Sequence, residues 1–481
     1  MKRLFVILLI TNLLTGVYAQ NAVDALRYSN VGYGGTSRFT AMGGAFGAIG
    51  ADFSTISTNP AGLGLFKSSE FTVTPSLYHA ISESKYLGNT TEDDKYNFNI
   101  QNAGIVLTAE FPDRLGTDGW RNVQFGFGMN RLLNFNNSMY MNGFNENSSL
   151  LTGYTQYANQ NGISSNSPEE LAYRANLLFY DSATSQYNCD MPNGSVQQLK
   201  SIYTEGSMNE VVMGLAANYS DKLYLGISLG FPYFRYYQES AYEESDVNEN
   251  NEYFKSLTLR EQLETSGSGI NIKAGMIFRV ADWVRLGAAY HSPTFFTSMK
   301  DSWRSNMQSE FDSIVQDMNV SSPYGEFDYE LTTPQKLLGS VAFVLGQSAI
   351  VSAEYQYVDY SSAKMRPNAD FIDVNSDIKS IYKAQNIFKF GAEYRYSQFS
   401  FRGGYAMYDS PFADNLNDGK RTSISFGLGF KEADYYLDCA FVTTKSDEDY
   451  YLYYVPEGYD QPVSSNKLTA NSIMLTLGYK F

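Results

Sequence analysis

Asn386–Met407 reads NIFKFGAEYRYSQFSFRGGYAM, and its two halves alternate residue by residue on either side of the short turn Ser397-Gln398. In the first half, aromatic and small apolar side chains occupy one face, while Lys389 and Glu393 share the other. The second half repeats the pattern, with aromatic residues opposite small or polar ones such as Arg402. A period of two residues is typical of a strand with one buried face. The stretch therefore predicts an antiparallel hairpin with one apolar and one polar face.

The same alternating unit recurs along the chain. Candidate strands are 70–80, 97–111, 120–134, 209–220, 223–240, 254–280, 284–295, 327–346, 349–362, 386–397, 399–409, 421–431, 434–444 and 468–481. Residues 254–280 are kept as one strand, because splitting them at Gly267-Ser268-Gly269 would give an odd number. Short turns, such as Ala281-Asp282-Trp283, alternate with long connections, such as 135–208. This is the pattern of a bacterial outer-membrane barrel. We predict an all-β fold, a transmembrane antiparallel β-barrel of about fourteen strands with helical extracellular loops.

The composition agrees with a sheet that meets lipid on one face. Only 18% of the 481 residues are charged, whereas about a quarter is usual in soluble domains. Two cysteines are too few for a disulfide scaffold. The net charge of −16 argues against a nucleic-acid partner, because phosphate binding needs a basic face.

Both ends of the chain carry export signals. Lys2 and Arg3 precede an apolar stretch that ends at Val17-Tyr18-Ala19, which predicts a signal peptide over residues 1–19. The last strand alternates up to the terminal Phe481. A final amphipathic strand of this kind predicts the barrel-assembly machinery as a partner, with the bacterial outer membrane as the location and its lipids as the surroundings. A closed barrel leaves no free strand edge, so we expect a monomer.

Residues 20–69 do not alternate and are rich in glycine, which predicts a compact hatch in the lumen of a barrel formed by residues 70–481. This region contains Met42-Gly43-Gly44-Ala45, Ala51-Asp52 and Asn59-Pro60-Ala61. With Leu286–Pro293 and Thr333-Pro334-Gln335-Lys336, these motifs make the chain resemble the FadL/TodX family of outer-membrane transporters for long-chain fatty acids and other hydrophobic compounds. The resemblance spans the chain beyond the signal peptide.

The resemblance implies a fourteen-stranded barrel with an N-terminal plug. In that family, extracellular loops capture the ligand, which moves when the hatch shifts and leaves sideways through a kinked early strand. By this resemblance Met42, Gly43, Gly44, Asp52, Asn59, Pro60 and Ala61 are hatch and gating residues. The corresponding gate strand here is 120–134, although neither Gly nor Pro marks a clear kink in it.

Two long loops carry apolar residues that could receive a hydrophobic molecule. After the helix start Ser167-Pro168-Glu169-Glu170, Leu171 and Leu178 recur at helical spacing. Residues 301–318 carry a second apolar stripe, including Trp303 and Phe311, which also fits a helix. The alternative is that both stripes pack against the barrel rim or each other.

Several charged residues are predicted to face the lumen, namely Lys273, Arg279, Arg285, His291, Lys389, Glu393, Arg395 and Arg402. A ligand carboxylate would favour a cation in a pocket of low dielectric constant. Lys389 and Arg402 are the best candidates, because they lie on adjacent strands and face the same way, with Arg285 and His291 as further candidates. The alternative is that these charges pair with one another or with hatch acids such as Asp52.

The sequence therefore predicts gated, energy-independent passage of hydrophobic molecules, with long-chain fatty acids as the default class. The rivals are a surface binding protein or adhesin that uses residues 135–208, a hemin receptor, and a non-selective porin. Gly226-Ile227-Ser228-Leu229-Gly230 matches an esterase motif but lies in an alternating strand, so we predict no enzyme. We predict no cofactor and no metal site.

Overall fold

A computed structural model of the chain describes residues 21–481 except 33, 112–118, 192–193, 313–314, 414–416 and 457. The predicted signal peptide, residues 1–19, lies outside the described residues. The strands are β1 Glu70–Tyr86, β2 Asn89–Glu110, β3 Trp120–Asn134, β4 Asn137–Asn145, β5 Phe179–Asp181, β6 Gln186–Asn188, β7 Val196–Tyr219, β8 Leu223–Ser245, β9 Phe254–Ala281, β10 Val284–His291, β11 Phe295–Phe311, β12 Met318–Ser321, β13 Gly325–Thr332, β14 Lys336–Leu345, β15 Ala349–Asp359, β16 Lys364–Arg366, β17 Ala384–Tyr396, β18 Phe399–Tyr408, β19 Arg421–Glu432, β20 Tyr435–Tyr451 and β21 Val463–Lys480.

These strands form a closed antiparallel barrel of 14 strands. The first and last strands close it, with Glu70 opposite Lys480. Several barrel strands consist of consecutive segments, because β3 and β4 both pair with β7, and β10 and β11 both pair with β9. The fold class and the strand number predicted from alternation are confirmed.

Short helices lie in the N-terminal segment and in the long connections. They are α1 Ala22–Ser29, α2 Ser37–Ala41, two 3-10 turns at Phe53–Ser57 and Pro60–Leu65, α3 Leu150–Asn161, α4 Pro168–Arg174, a 3-10 turn at Tyr360–Ser362, and α5 Ile372–Ile381. Within the described part of the chain, none of the helices is both long and apolar enough to span a membrane.

The two ends of the barrel differ. At one end, called the turn end, short turns such as Ser397-Gln398 join the strands, and Phe481 donates its backbone N–H to the Ser69 carbonyl. At the other, called the loop end, long connections cover the barrel. On the outside, apolar side chains such as Phe388 and Phe390 alternate with lumen-facing ones, and Trp120 and Trp283 are exposed near the turn end. This apolar outer surface is the one that lipid would cover.

Strand β9 confirms that residues 254–280 belong to one strand. The strand runs without interruption for 28 residues through Gly267 and Gly269. At Gly269, a Cβ atom would lie 2.7 Å from the Phe295 carbonyl oxygen. Gly269 therefore marks a close approach of backbones, whereas Gly267 lies against the side chains of Phe234 and Met299, and neither glycine forms a turn.

Several predicted connections are instead strands, which corrects the sequence-based boundaries. Residues 81–96 extend β1 and β2 into a hairpin that turns at Leu87 and Gly88, where both φ angles are positive. Residues 301–311 are part of β11, so the helix predicted for the second apolar stripe is wrong. Trp303, Met307 and Phe311 recur every four residues, a spacing that fits one face of a strand as well as of a helix. The predicted strand 327–346 is interrupted at Thr333-Pro334-Gln335 between β13 and β14.

The loop end is closed by a cap with its own apolar core. Leu171, Leu178 and Phe311 are buried in this cluster. The predicted helix start is confirmed, since Ser167 Oγ accepts a hydrogen bond from the Glu170 backbone N–H at 3.2 Å. Cys189 also lies in the cap, where burial raises the pKa of its thiol to about 11.

Candidate functional site

The N-terminal segment, residues 21–69, lies in the lumen, and two of the predicted hatch residues tie it together. Asp52 accepts hydrogen bonds from Thr36 Oγ1 at 2.7 Å and from the Ser54 backbone N–H at 2.9 Å. Asn59 donates Nδ2 to the Gly47 carbonyl oxygen at 2.6 Å. The segment contains no long helix, so many of its backbone groups lack partners in regular secondary structure. Polar side chains such as those of Asp52 and Asn59 supply hydrogen bonds to these groups instead.

The other predicted hatch residues rest directly on the barrel wall. A Cβ atom at Gly226 of β8 would lie 2.3 Å from Pro60 C and 2.4 Å from Ala61 N. On the opposite side, a Cβ atom at Gly404 of β18 would lie 2.1 Å from Gly43 N. Glycine in the wall therefore allows the segment's backbone to touch the sheet.

Met42, Gly43 and Gly44 lie at the contact with β17 and β18. Gly43 and Gly44 have φ angles of 63° and 71°, a region that favours glycine. Gly43 donates its N–H to Ser425 Oγ at 3.2 Å. A side chain at either glycine would strain the turn.

On the loop-end side of this segment the lumen holds a cavity of ≈ 250 Å³. Its basic lining residues are Arg131, Lys389 and Arg421, and no acidic residue is among its described lining residues. Apolar residues, including Leu132, Ile387 and Val442, supply much of the remaining wall. A chamber whose lining combines cations and apolar side chains suits a molecule that has an anionic head and an apolar tail.

The three cations are held in different ways. Lys389 Nζ lies 3.2 Å from Glu354 Oε1. The Arg421 guanidinium donates to Asn30 Oδ1 at 2.8 Å and lies over the Tyr408 ring. The side chain of Arg131 has one hydrogen bond among the described residues, a long one of 3.4 Å from Nε to a β2 carbonyl oxygen. Its register partner on β7 is Asn209, which lies opposite the exposed Tyr233 of β8, so the Arg131 side chain stands at the outer edge of the cavity, in the barrel wall.

This cavity reaches a gap in the barrel wall. β2 pairs with β3 only from Asn102 opposite Asn130 to Glu110 opposite Asn122. Beyond Asn102, β2 keeps its ladder with β1, but its loop-end half has no backbone ladder to β3 among the described residues. The cavity is lined from both sides of this gap. Lining residues at the gap are Asn99 and Gln101 on β2 and Arg131, Leu132, Leu133 and Asn134 on β3.

Side chains and the N-terminal segment span the gap. Asn134 Nδ2 donates to Asn97 Oδ1 at 3.2 Å across it. Gly34 of the segment donates its backbone N–H to the Arg131 carbonyl oxygen at 2.9 Å. The ladder of β3 with β7 shifts register between Arg131 and Leu133. Strand β3 is therefore irregular at Leu132, although neither Gly nor Pro occupies this position.

Arg402 lies on the other side of the N-terminal segment from Lys389. It donates Nε to Glu393 Oε2 at 2.7 Å and Nη1 to Asp438 Oδ1 at 2.6 Å, near the turn end. Arg38 of the segment also donates to Glu393, at 2.9 Å. The structure therefore does not bring Arg402 and Lys389 into one site, although both face the lumen.

His291 and Arg285 both contact the N-terminal segment. His291 Nε2 lies 2.6 Å from the Thr58 carbonyl oxygen, and Arg285 Nη1 donates to the Ile49 carbonyl oxygen at 3.0 Å. Ser228 of the esterase-like motif donates to the Ile56 carbonyl oxygen at 2.8 Å. These residues hold the segment against β8 and β10.

The predicted loop residues lie in or beside the closed cap. Leu171, Leu178 and Phe311 are buried in its core, and Trp303 is half-buried on β11. Both apolar stripes therefore pack within the cap in this conformation, as the alternative interpretation of the sequence proposed. A ligand would reach these side chains only if the cap opened.

Sequence reasoning missed two of the three cavity cations, Arg131 and Arg421. Both lie near strand ends at the loop end, where the alternation of apolar residues is weakest. The position of Arg421 could have been inferred from alternation, because it lies two and four residues before Ser423 and Ser425, which face the lumen on β19. Within the described residues, no group of three or more His, Cys, Asp or Glu side chains is placed to hold a metal ion.

Comparison with known proteins points to one family. The model of the family described as "Outer membrane protein transport protein (OMPP1/FadL/TodX)" matches residues 18–450. A search of curated proteins finds no match.

Three solved structures share the fold at low identity. The toluene transporter TodX of P. putida is 12% identical, with a TM-score of 0.56 over 93% of this chain and 99% of that one. A FadL homologue of Pseudomonas aeruginosa is 12% identical, with a TM-score of 0.57 over 94% and 99%. The toluene transporter TbuX of Ralstonia pickettii is 16% identical, with a TM-score of 0.51 over 93% and 98%.

Proposed function

Since the chain belongs to the OMPP1/FadL/TodX family of outer-membrane transport proteins for hydrophobic compounds, we propose that it gives long-chain fatty acids a gated, energy-independent passage across the outer membrane. The observation that carries the choice of substrate is the cavity on the loop-end side of the N-terminal segment. Its lining combines three cations with apolar side chains and, among the described lining residues, has no carboxylate.

The cations favour a fatty acid over a neutral hydrocarbon. A carboxylate in this low-dielectric chamber would gain charge-assisted hydrogen bonds from a nearby basic residue, Lys389 or Arg421 inside it or Arg131 at its outer edge. Its alkyl tail gains about 0.8 kcal/mol for each buried CH₂ group. Toluene, for which the TodX and TbuX transporters are named, offers no anion to these residues.

The lipid that co-purifies with the detergent-extracted protein tests this assignment. Mass spectrometry is expected to recover long-chain fatty acids, and a strain lacking its own fatty-acid transporter is expected to regain uptake of labelled oleate when it expresses this chain. Unchanged oleate uptake would overturn the proposal. A recovered porphyrin would support a hemin receptor instead.

The exit route that we propose is lateral, through the gap between β2 and β3. Arg131–Asn134 line both the cavity and the gap. The Gly34 backbone is bonded at the gap's edge, so a shift of the N-terminal segment would free the passage. Outside, Tyr96 and Phe98 of β2 are strongly exposed and would meet lipid at this level. A fatty acid leaving here would enter the outer leaflet directly.

A disulfide across the gap is expected to abolish oleate uptake. The pair Asn97→Cys and Asn134→Cys, in a background with Cys189 and Cys439 replaced by Ser, would connect positions whose side chains now share a hydrogen bond of 3.2 Å. Oxidation would hold the strands together, and a reductant would restore uptake. The measurement is initial oleate uptake before and after reduction.

The control pair is Leu107→Cys and Phe125→Cys, which lie opposite each other where β2 and β3 are already paired. Crosslinking there is expected to leave uptake unchanged. Full uptake through a barrel oxidised at 97 and 134 would exclude the lateral route.

A further inference from the structure

The turn-end part of the lumen is a basic vestibule of ≈ 1160 Å³ below the N-terminal segment. Its basic lining residues are Arg38, Lys67, Arg121, Arg279, Arg285, Arg395, Lys431 and Lys480. Its acidic lining residues are Glu110, Asp221 and Glu393. The vestibule is thus positive although the whole chain has a net charge of −16. Such a local excess of one sign concentrates ions of the opposite sign.

Within this vestibule, Arg279 and Arg285 are direct cross-strand neighbours. They occupy opposite positions in the ladder between β9 and β10, and both face the lumen. Like charges placed directly opposite each other destabilise a sheet. Other lumen cations face carboxylates, such as Lys273 with Glu210 at 2.5 Å and Arg402 with Glu393 at 2.7 Å. In the arginine pair, Arg279 has a carboxylate partner in the adjoining turn, Asp282, whereas Arg285 has none among the described residues.

Both guanidinium groups retain unused hydrogen-bond donors. Arg279 Nη2 donates to Asp282 Oδ1 at 2.9 Å, and Arg285 Nη1 donates to the Ile49 carbonyl oxygen at 3.0 Å. The Nε atom of each is buried and has no hydrogen-bond partner among the described residues. An arginine carries five N–H donors. Most donors of the pair are therefore available to an acceptor within the vestibule.

We propose that Arg279 and Arg285 form a binding site for an oxyanion, a carboxylate or phosphate group that enters from the turn end of the barrel. Planar guanidinium groups bind both kinds of oxyanion through paired hydrogen bonds. A bound anion would also relieve the repulsion between the two arginines. The site is separate from the loop-end cavity, because the N-terminal segment lies between them. The inference does not depend on fatty acids being the transported substrate.

Binding of two probe anions to the full chain tests this site. Inorganic phosphate and octanoate are titrated calorimetrically into the detergent-purified protein and into its Arg279→Gln variant. Arg279 is chosen because Arg285 also holds the N-terminal segment through Ile49. We expect the variant to bind the preferred probe about tenfold more weakly or worse, since it loses a charge-assisted pair of hydrogen bonds. Arg279→Lys, which keeps the charge but not the planar fork, should restore only part of the affinity.

The matched control is Lys67→Gln, which removes one positive charge from the same vestibule but lies outside the pair. It is expected to change binding little. Octanoate binding that phosphate cannot displace would assign the site to a carboxylate amphiphile, and the reverse would assign it to a phosphate group. Either result supports the site. Equal losses in Arg279→Gln and Lys67→Gln, or no binding of either probe, would overturn it.

Discussion

Replacing Gly404 with valine is expected to push the N-terminal segment off the barrel wall and open an ion leak through the lumen. A Cβ atom at this position would lie 2.1 Å from Gly43 N and 2.4 Å from Met42 C. Both contacts are backbone atoms, so no side chain can rotate away. Its cross-strand neighbour is Gly391, where a Cβ atom would lie 2.5 Å from the Met42 carbonyl oxygen. The two glycines together form the flat surface on which the segment rests.

The segment is expected to yield before the wall does. Gly404 is fixed by ladders on both sides, to β17 and to β19. The segment at Gly43 is held by single hydrogen bonds such as that to Ser425. Forcing extra atoms into a packed contact costs about 1–3 kcal/mol, which is comparable to the contribution of one or two such bonds. Displacement would join the loop-end cavity to the vestibule.

Conductance across planar bilayers measures this effect. The control is Gly403→Val in the same strand, because a Cβ atom there would meet nothing within 4 Å. We expect a large increase in conductance for Gly404→Val and none for Gly403→Val, with both variants still showing the heat-dependent gel shift of a folded barrel. A sealed Gly404→Val barrel would mean that the wall, and not the segment, moves.

The barrel could be predicted from the sequence because lipid imposes alternation on every strand that crosses it. Asn386–Met407 shows this clearly, with Phe388 and Phe390 outside and Lys389 inside. Where strands extend beyond the lipid, both faces meet water and the alternation disappears. Residues 89–95 of β2, Asn-Thr-Thr-Glu-Asp-Asp-Lys, have no apolar face, so the long hairpin with β1 was missed.

The candidate site was less predictable. Alternation shows which side chains face the lumen, but it does not show how far along the barrel axis each of them lies. Alternation placed Lys389 and Arg402 on the lumen side but could not show that the N-terminal segment separates them. The register shows it: Lys389 lies opposite Ala406, while Arg402 lies opposite Glu393, four residues further along β17. Arg131 is harder still, because the irregularity between Arg131 and Leu133 depends on pairing with β7.

Arg131→Gln is expected to weaken oleate binding by about tenfold or more, while methyl oleate binds as it does to the unchanged protein. A hydrogen bond to a charged group contributes about 1.5–3 kcal/mol, and 1.4 kcal/mol corresponds to a factor of about ten in affinity. Arg131 is the residue of choice because Lys389 is paired with Glu354 and Arg421 holds Asn30 of the N-terminal segment. Removing either of those would leave a carboxylate unpaired or loosen the segment.

The ester separates recognition of the head group from burial of the tail. It keeps the alkyl chain of oleate but has no anion, so its affinity should depend on the apolar wall alone. Displacement of a fluorescent fatty acid from the purified protein gives both affinities. Lys445→Gln is the matched control, since Lys445 is exposed on the outer face of β20 and lies outside the cavity lining. Equal losses of affinity for oleate and its ester would show that Arg131 shapes the chamber but does not bind the carboxylate. Toluene binding that exceeds oleate binding would move the substrate assignment to neutral hydrocarbons.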